Sequence, residues 1–143
     1  MIKKIIEIYK SKKEVINYLI FGVLTTVINL VAYYLLSTFL LDIQKEIELQ
    51  IANIISWIVS VLFAYVTNRK YVFESKNKNK VKEVKKFFAS RLLTLFEDML
   101  IMYLGVSILK INDKIIKILS QIIVIVSNYI LSKLFVFKKE TKK

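Results

Sequence analysis

The chain has 143 residues, of which 56% are hydrophobic, and its 23 Lys and Arg residues outnumber 11 Asp and Glu residues to give a net charge of +12. It contains neither Cys nor His and only two glycines, which excludes disulfides, His-ligated zinc, Ser-His-Asp catalysis and glycine-rich phosphate loops. A chain this apolar and this basic has to separate its charges from its apolar runs, which is typical of a small multi-pass membrane protein. We expect no enzyme, no cofactor and no metal site.

Four apolar stretches follow a basic, amphipathic N-terminal segment (1–13), which we interpret as an interfacial helix rather than a cleaved signal. The stretches cover about 15–40, 49–67, 87–109 and 115–137, close to the roughly 20 residues that a spanning helix needs. Runs of this length without Pro are too long for strands. The sequence therefore predicts an all-α fold, one domain over 1–143, with four transmembrane helices in two hairpins around a basic loop at about 68–86.

Basic residues near the helix ends predict the orientation in the membrane. Five stand before the first helix, eight lie in the loop between the second and third helices, and four lie in the tail 138–143. The opposite side has only Lys45, Lys110, Lys114 and Lys117. By the positive-inside rule, both termini and the middle loop are cytoplasmic. Anionic lipid headgroups explain the basic clusters, so we expect membrane lipids as partners and no nucleic acid.

The second and fourth predicted helices end in similar sequences. Residues 65–73 (YVTNRKYVF) align with residues 129–137 (YILSKLFVF) at an offset of 64, so that Tyr, a basic residue, an aromatic residue, Val and Phe recur in register. Both copies leave the membrane on the cytoplasmic side in the predicted topology, which favours two parallel repeats. The alternative is that inner-face helix ends in general collect aromatic and basic residues.

Each predicted helix carries one stripe of polar or small residues, and polar groups within hydrocarbon usually face a bundle interior. Close helix packing explains small residues, and we favour it for Gly22, Ser56, Ser60 and Ala64. Packing does not explain Arg91, although snorkelling or pairing with Asp98 would, and snorkelling would also explain Lys117. The stripes are Gly22, Thr25, Thr26 and Asn29; Asn53, Ser56, Ser60, Ala64 and Asn68; Phe87, Arg91, Thr94 and Asp98 with Glu97 beside it; and Lys117, Gln121, Val124, Asn128 and Ser132.

The predicted bundle contains a guanidinium, an ammonium, two carboxylates and several amides, and such a set of groups indicates a polar ligand. An anionic headgroup fits, because Arg forms bidentate bonds to phosphate and amides hydrogen-bond to sugar hydroxyls. Glu97 and Asp98 are candidates for proton coupling, or they are charge partners of Arg91.

Several motifs carry a resemblance to a known family. They are F-G-x-x-x-T at 21–26 with Asn29, F-A-Y-x-x-N-R-x-Y-V-F at 63–73, F-x-x-x-R at 87–91, Lys117, and S-N-Y followed by F-V-F within 127–137. The chain resembles the GtrA-like family over essentially its whole length. The second repeat has Ser132 and Lys133 where the first has Asn68 and Arg69.

The resemblance implies translocation of a polyprenyl-phosphate-linked sugar across the cytoplasmic membrane for glycosylation of cell-surface polysaccharide, in functional association with membrane glycosyltransferases. The motif positions of the family correspond here to Ala64, Asn68, Phe73, Phe87, Arg91, Lys117 and Asn128. We expect Arg91, aided by Arg69 and Lys133, to capture phosphate on the cytoplasmic side, and Lys117 to receive it near the outer face. Asn68 would hold a sugar or phosphate oxygen. The set of expected substrate-binding residues is Asn29, Ala64, Asn68, Arg69, Phe73, Phe87, Arg91, Lys117, Asn128 and Lys133.

Phe73 and Phe87 would stack against a sugar or seal the cytoplasmic gate, while Asn29 and Asn128 would lie near mid-membrane. A 143-residue bundle is small for enclosing a headgroup, which favours a homo-oligomer. Two other functions stay open: a non-transporting subunit that docks or stabilises a glycosyltransferase, and a small multidrug-type exporter. Two observations argue against the exporter: the bias of basic residues towards one side fixes a single orientation, and a basic cavity repels lipophilic cations.

Overall fold

In the computed structural model, residues 1–139 are described; Lys142 and Lys143 of the basic tail lie outside this range. The described chain contains four α-helices and no strand: α1 (Ile2–Phe39), α2 (Glu46–Thr67), α3 (Lys80–Met102) and α4 (Asp113–Leu131). The last three continue directly into short π-helical segments, which we call π2 (Asn68–Val72), π3 (Tyr103–Ile108) and π4 (Ser132–Val136). The all-α prediction is confirmed, and each predicted span lies mainly on one of these four helices.

Local sequence explains where several helices begin or bend. Lys12 has non-helical dihedral angles (φ −118°, ψ 17°), and this kink in α1 falls where the basic N-terminal segment meets the apolar remainder. The side chain of Asn79 accepts a hydrogen bond from the Lys82 backbone N–H at the start of α3, and Asn112 accepts one from Lys114 at the start of α4. Asn is a favoured residue at this capping position because it satisfies an orphan N–H of the first turn.

Three helices of the described chain are long and apolar enough to cross a membrane. They are Ile2–Phe39, Glu46–Val72 and Asp113–Val136. Although α3 has 23 residues, it carries Arg91, Glu97 and Asp98 and opens on several lysines, so its composition is less apolar than that of the other three. The fourth span therefore remains a prediction from the sequence.

The chain divides into two compact units, Met1–Glu74 and Ser75–Lys143, and each is a helical hairpin. In the first unit α1 packs along α2 and against π2. The ring of Phe21 stacks on Tyr71 with centroids 5.2 Å apart, and Asn17 Nδ2 donates to the Tyr71 carbonyl at 3.0 Å. An ion pair of 2.8 Å between Lys13 and Glu74 connects α1 to the residues after π2.

The second unit consists of α3 packed along α4, with π4 against α3. The rings of Phe87 and Phe137 lie 5.8 Å apart at one end of this hairpin. At the other end the Ile116 side chain packs so closely on Gly105 that a Cβ at this glycine would stand 2.7 Å from its atoms. Between these two contacts, α3 and α4 run antiparallel.

The internal repeat is visible in the structure of each unit. π2 begins at residue 68 and ends at 72, and π4 begins at 132 and ends at 136, so both π-segments sit at the offset of 64 found in the sequence. Buried positions follow the same offset, including Ser56 with Ser120 and Phe73 with Phe137. π-helical turns are rare in proteins and frequently occur at functional sites, so their recurrence supports duplication of a functional element.

The packing interpretation fits some of the small residues and fails for one. Ser56, Ser60 and Ala64 are buried on α2, as a helix-packing seam requires. Gly22, in contrast, is exposed, and no atom of the described chain comes within 4 Å of where its Cβ would be. The prediction that Gly22 serves helix packing is therefore wrong within this structure.

Candidate functional site

Asn68 begins π2 and is the most unusual polar residue of the first unit. It is buried, and its Nδ2 donates to the Ala64 carbonyl at 2.6 Å. Its Oδ1 is buried without a hydrogen-bond partner among residues 1–139. A buried acceptor left unpaired is destabilising, so each such case in a folded protein calls for a functional or structural explanation. The free atom is an acceptor, which a hydroxyl donor would satisfy.

The other predicted site residues of the first unit lie on both sides of Asn68. Arg69 is half-buried on π2, and Phe73 is buried directly after this segment. Asn29, on α1, donates through Nδ2 to Ser60 Oγ at 3.2 Å. Since Ser60 stands eight residues before Asn68, about 12 Å along the helix, Asn29 forms a separate polar point within this unit.

In the second unit, Arg91 and Phe87 form one structural element. The guanidinium carbon of Arg91 lies 4.4 Å from the centroid of the Phe87 ring, one helical turn earlier. Phe87 is fully buried, and its ring also contacts Phe137. A cation on an aromatic face is attracted by the ring quadrupole, so Phe87 orients the Arg91 guanidinium. With its ring enclosed in this way, Phe87 is better placed to position Arg91 than to stack on a sugar.

Two further basic residues of this unit contact aromatic rings. Lys133 Nζ, on π4, lies 3.3 Å from the hydroxyl oxygen of Tyr129. Lys86 Nζ lies 5.2 Å from the centroid of the Phe135 ring. The π4 end of the second unit is therefore rich in cations held by aromatic residues.

Asp98 is the centre of a polar cluster between α3 and α4. Lys117 Nζ lies 2.7 Å from Asp98 Oδ2. Gln121 Nε2 donates to Oδ1 at 3.3 Å, and Ser120 Oγ donates to the same oxygen. The partner of the Asp98 carboxylate is thus Lys117, where the sequence considered Arg91. The reason is register: the antiparallel packing of α4 on α3 brings Lys117 across from Asp98.

A second pair of polar contacts lies next to this cluster. Thr94 Oγ1 lies 2.8 Å from Asn128 Oδ1, and Ser127 Oγ donates to Glu97 Oε1 at 2.9 Å. Beside them is a groove of about 520 Å³, whose walls are mainly apolar and whose polar edge consists of Thr94, Glu97 and Ser127. A groove with apolar walls and a few polar groups is the usual form of a small-molecule site.

Sequence analysis found most of these residues but missed Ser120 and Ser127 as contacts of the carboxylates. A signal for Ser120 was available, because it stands 64 residues after Ser56 and both are buried. Among residues 1–139, no group of three His, Cys, Asp or Glu side chains is arranged to hold a metal ion.

The helices and polar clusters define a small, all-helical membrane protein with charged and amide side chains inside otherwise apolar helices. Residues 17–137 match the family described as GtrA/DPMS, transmembrane domain. The chain belongs to this family, as its motifs predicted, and it is a multi-pass membrane protein.

The matches to related proteins extend over most of this chain and over most of each relative. The "Cell wall teichoic acid glycosylation protein GtcA" of Listeria monocytogenes is 44% identical over 128 residues, which is 87% of this chain and 85% of the relative. The protein of the same name from Listeria innocua is also 44% identical over 128 residues, with the same shares. The "Uncharacterized membrane protein YwcD" of Bacillus subtilis is 38% identical over 125 residues, 85% of this chain and 94% of the relative. No solved structure matches the chain significantly.

Proposed function

We propose that this protein moves a polyprenyl-phosphate-linked sugar from the inner to the outer leaflet of the cytoplasmic membrane, for glycosylation of cell-wall teichoic acid or a related surface polymer. The observation that carries the proposal is the row of polar side chains along α3 and α4: Arg91, Asp98, Lys117 and Asn128. Charged groups are costly in hydrocarbon and mark substrate pathways. Two relatives are named as cell wall teichoic acid glycosylation proteins, which supports teichoic acid as the polymer that is glycosylated.

In the proposed topology α3 also crosses the membrane, which makes four spans in total, and both termini lie in the cytoplasm. Contacts within the second hairpin extend from Phe87 of α3 with Phe137, directly after π4, to Gly105 of π3 with Ile116 of α4. The 18 residues from 87 to 105 cover about 27 Å of helix, close to the thickness of the hydrocarbon core. Since α4 is itself apolar enough to span the membrane, a helix packed along it over this length lies at the same depth. A single domain over 1–143 remains part of this proposal.

On the cytoplasmic side, Arg91 captures the phosphate, aided by Arg69 and Lys133. The planar guanidinium, held on the Phe87 ring, offers two parallel N–H donors to a phosphate. Asn68 binds a sugar hydroxyl, because its Nδ2 donates one hydrogen bond to the Ala64 carbonyl while its buried acceptor Oδ1 has no partner among residues 1–139. Ala64, whose carbonyl accepts from this amide, and Phe73, directly after π2, are buried next to Asn68 in the chain and complete this part of the proposed site.

Further along the path, Asn29 and Asn128 offer amides near mid-membrane, and Lys117 receives the phosphate in the outer half. Glu97 lies at the polar edge of the α3–α4 groove, where a carboxylate can accept hydrogen bonds from sugar hydroxyls. The polyprenyl chain stays in lipid. No covalent step is needed; one membrane glycosyltransferase makes the lipid-linked sugar and another uses it. A homo-oligomer would enclose the headgroup more completely than one small hairpin pair.

The test is transport by the purified protein in liposomes. A short-chain prenyl-phosphate sugar is placed in the membrane, and its movement between leaflets is followed by reaction with an impermeant oxidant such as periodate. We expect rapid exchange with the wild-type chain and slow exchange with empty liposomes or with Arg91→Ala. If cells need the protein for surface glycosylation but liposomes show no exchange, the docking-subunit function is correct and the translocation proposal is wrong.

A further inference from the structure

The second unit contains three hydrogen-bond donors that converge on one anion. Lys117 and Gln121 donate to the two oxygens of Asp98 at 2.7 and 3.3 Å, and Ser120 donates to the same oxygen as Gln121. The Asp98 side chain is 18% exposed and that of Lys117 is 49% exposed. The cluster is therefore partly shielded from its surroundings, while the Lys117 ammonium remains accessible at the surface of the protein.

This set of donors matches the chemistry of a phosphodiester as well as that of a carboxylate. Both anions carry one negative charge, and both present two oxygens that accept hydrogen bonds. An ammonium, a hydroxyl and an amide N–H are donors only towards such a group. A lipid phosphate that entered the cluster would find its charge and its oxygens matched by the groups that now hold Asp98.

We propose that Lys117, Ser120 and Gln121 form a phosphate subsite and that Asp98 is its resident anion, which occupies the donors when no lipid phosphate is bound. The subsite rests on the proposed function only for the identity of the lipid that carries the phosphate. Ser120 and Gln121 thereby become binding residues alongside Lys117. Asp98 is a competing group whose side chain releases the donors as phosphate enters.

The resident anion has two physical effects. It keeps the Lys117 ammonium at the cluster, because an unpaired lysine near a helix end would extend to the interface. It also limits how tightly phosphate is held, because binding has to break the ion pair between Lys117 and Asp98 and brings a second anion close to the Asp98 carboxylate. A carrier that must release its cargo benefits from such competition, since tight binding at the exit would slow release.

The experiment measures equilibrium binding of a prenyl phosphodiester, the monomethyl ester of farnesyl phosphate, to the full chain in phosphatidylcholine nanodiscs. Farnesol serves as the uncharged probe. Asp98→Asn removes the competing charge with little change in shape, so we expect binding about fivefold tighter, the factor that corresponds to loss of a partly exposed ion pair. Lys117→Gln should abolish the charge-dependent part of binding. Gln121→Leu, introduced into the Asp98→Asn chain, should weaken binding again.

Asp113→Asn is the matched control, because it removes one negative charge from an exposed position one turn before Lys117. It should leave the dissociation constant unchanged. Equal or weaker binding by Asp98→Asn would overturn the resident-anion assignment. An unchanged affinity after Gln121→Leu in the Asp98→Asn chain would remove Gln121 from the subsite.

The source of the phosphate is tested by adding phosphatidylglycerol to the nanodiscs. If it does not displace the prenyl probe at equal mole fraction, the subsite selects the prenyl phosphate. Displacement would assign the donors to bulk phospholipid and overturn the assignment to a sugar carrier. Because binding is measured without transport, the subsite stands or falls independently of the liposome assay.

Discussion

Polar side chains within the helices of this protein differ in where their hydrogen bonds go. The hydroxyls of Thr25, Ser56 and Ser60 donate to carbonyls three or four residues earlier in their own helix. Such residues are satisfied locally and are compatible with helix packing. Asn68 and Asp98 differ: one keeps a buried acceptor unpaired, and the other gathers donors from a neighbouring helix.

Sequence patterns located Asp98 and Lys117 but did not pair them. Spacing along a helix fixes the angle of a side chain around its own axis, whereas pairing depends on the register between two helices. Arg91 lies two turns from Asp98 on the same face of α3, so the sequence offered it as a possible partner. Only the packing of α4 on α3 distinguishes the two cations, and the short 109–112 connection does not by itself set that register.

Arg91 should not be replaceable by lysine. An ammonium keeps the charge but has no planar face to lie on Phe87 and no paired donors for phosphate. We expect Arg91→Lys to lose most surface glycosylation and Arg91→Ala to lose all of it, with normal abundance in the membrane. Surface sugar and membrane abundance are measured in the same strains, with Lys82→Ala, an exposed basic change on the same helix, as the control. Full activity of Arg91→Ala would reduce Arg91 to a snorkelling anchor.

Asn68→Leu should separate function from stability. Leucine has a similar volume and no unpaired acceptor, so the only stabilising contact it removes is the Nδ2 bond to Ala64, worth about 1 kcal/mol. We therefore expect thermal unfolding of the purified protein to change little while surface glycosylation is lost. The matched change Ser132→Ala removes the other buried, unpaired oxygen found among residues 1–139 and provides the comparison in the second unit. A fully active Asn68→Leu protein would show that Oδ1 does not bind substrate.

Lys117→Gln should stop delivery without loss of the fold. Lys117 is half exposed, and Ser120 and Gln121 still donate to Asp98 when the charge of Lys117 is removed. We expect the lipid-linked sugar to accumulate inside the cell while surface sugar falls, and both are measured in one extract. Normal surface glycosylation in this strain would take Lys117 out of the path.

At the scale of the elements, the π-segments are the part of the fold that sequence patterns did not predict. Residues 65–73 and 129–137 were recognised as similar, but apolar periodicity does not distinguish an α-helical turn from a π-helical one. The bonds that close the segments join Phe73 N–H to the Asn68 carbonyl at 2.9 Å and Phe137 N–H to the Ser132 carbonyl at 2.8 Å. In each unit the π-helical segment begins at a residue with a buried, unpaired side-chain oxygen, Asn68 in π2 and Ser132 in π4. This coincidence connects the π-helical segments to the proposed site.

Gly105 should be required for the packing of α3 on α4. A Cβ at this position would stand 2.7 Å from three atoms of Ile116, and a β-branched side chain cannot move them all aside. We expect Gly105→Ala to destabilise the protein by about 1–3 kcal/mol, as overpacking usually does. Thermal unfolding in detergent measures the effect. Gly22→Ala, at an exposed glycine, is the control.

Ile116→Ala removes the atoms that the new Cβ would meet. The double change Gly105→Ala with Ile116→Ala should therefore be more stable than the sum of the two single effects predicts, because the clash is absent. Strict additivity would mean that the close contact between Gly105 and Ile116 does not control the stability of this hairpin.

For the molecule as a whole, composition predicted the class of protein better than it predicted the number of spans. The runs in α1, α2 and α4 are apolar enough to cross a membrane by composition alone. In α3 the charged groups assigned to the substrate path, Arg91 as a phosphate ligand and Asp98 as a competing anion, are also those that lower its hydropathy, so function and span prediction conflict on this helix. The extent of its packing along α4 favours a membrane-spanning α3, and this packing cannot be predicted from the sequence of α3 alone.

Single cysteines test this topology cleanly, because the natural chain contains none. If both termini are cytoplasmic, cysteines at Lys4 and at Thr141 should resist an impermeant thiol reagent in intact cells, while Gln44→Cys in the α1–α2 connection should react. The crossing of α3 depends on two further sites. Lys76→Cys, before α3, should be protected, and Ile111→Cys, after π3, should be labelled. Permeabilised cells give the reference for full reactivity at every site. Equal protection of Lys76→Cys and Ile111→Cys in intact cells would show that α3 does not cross, and it would remove the transmembrane path along α3 and α4 on which the proposed translocation depends.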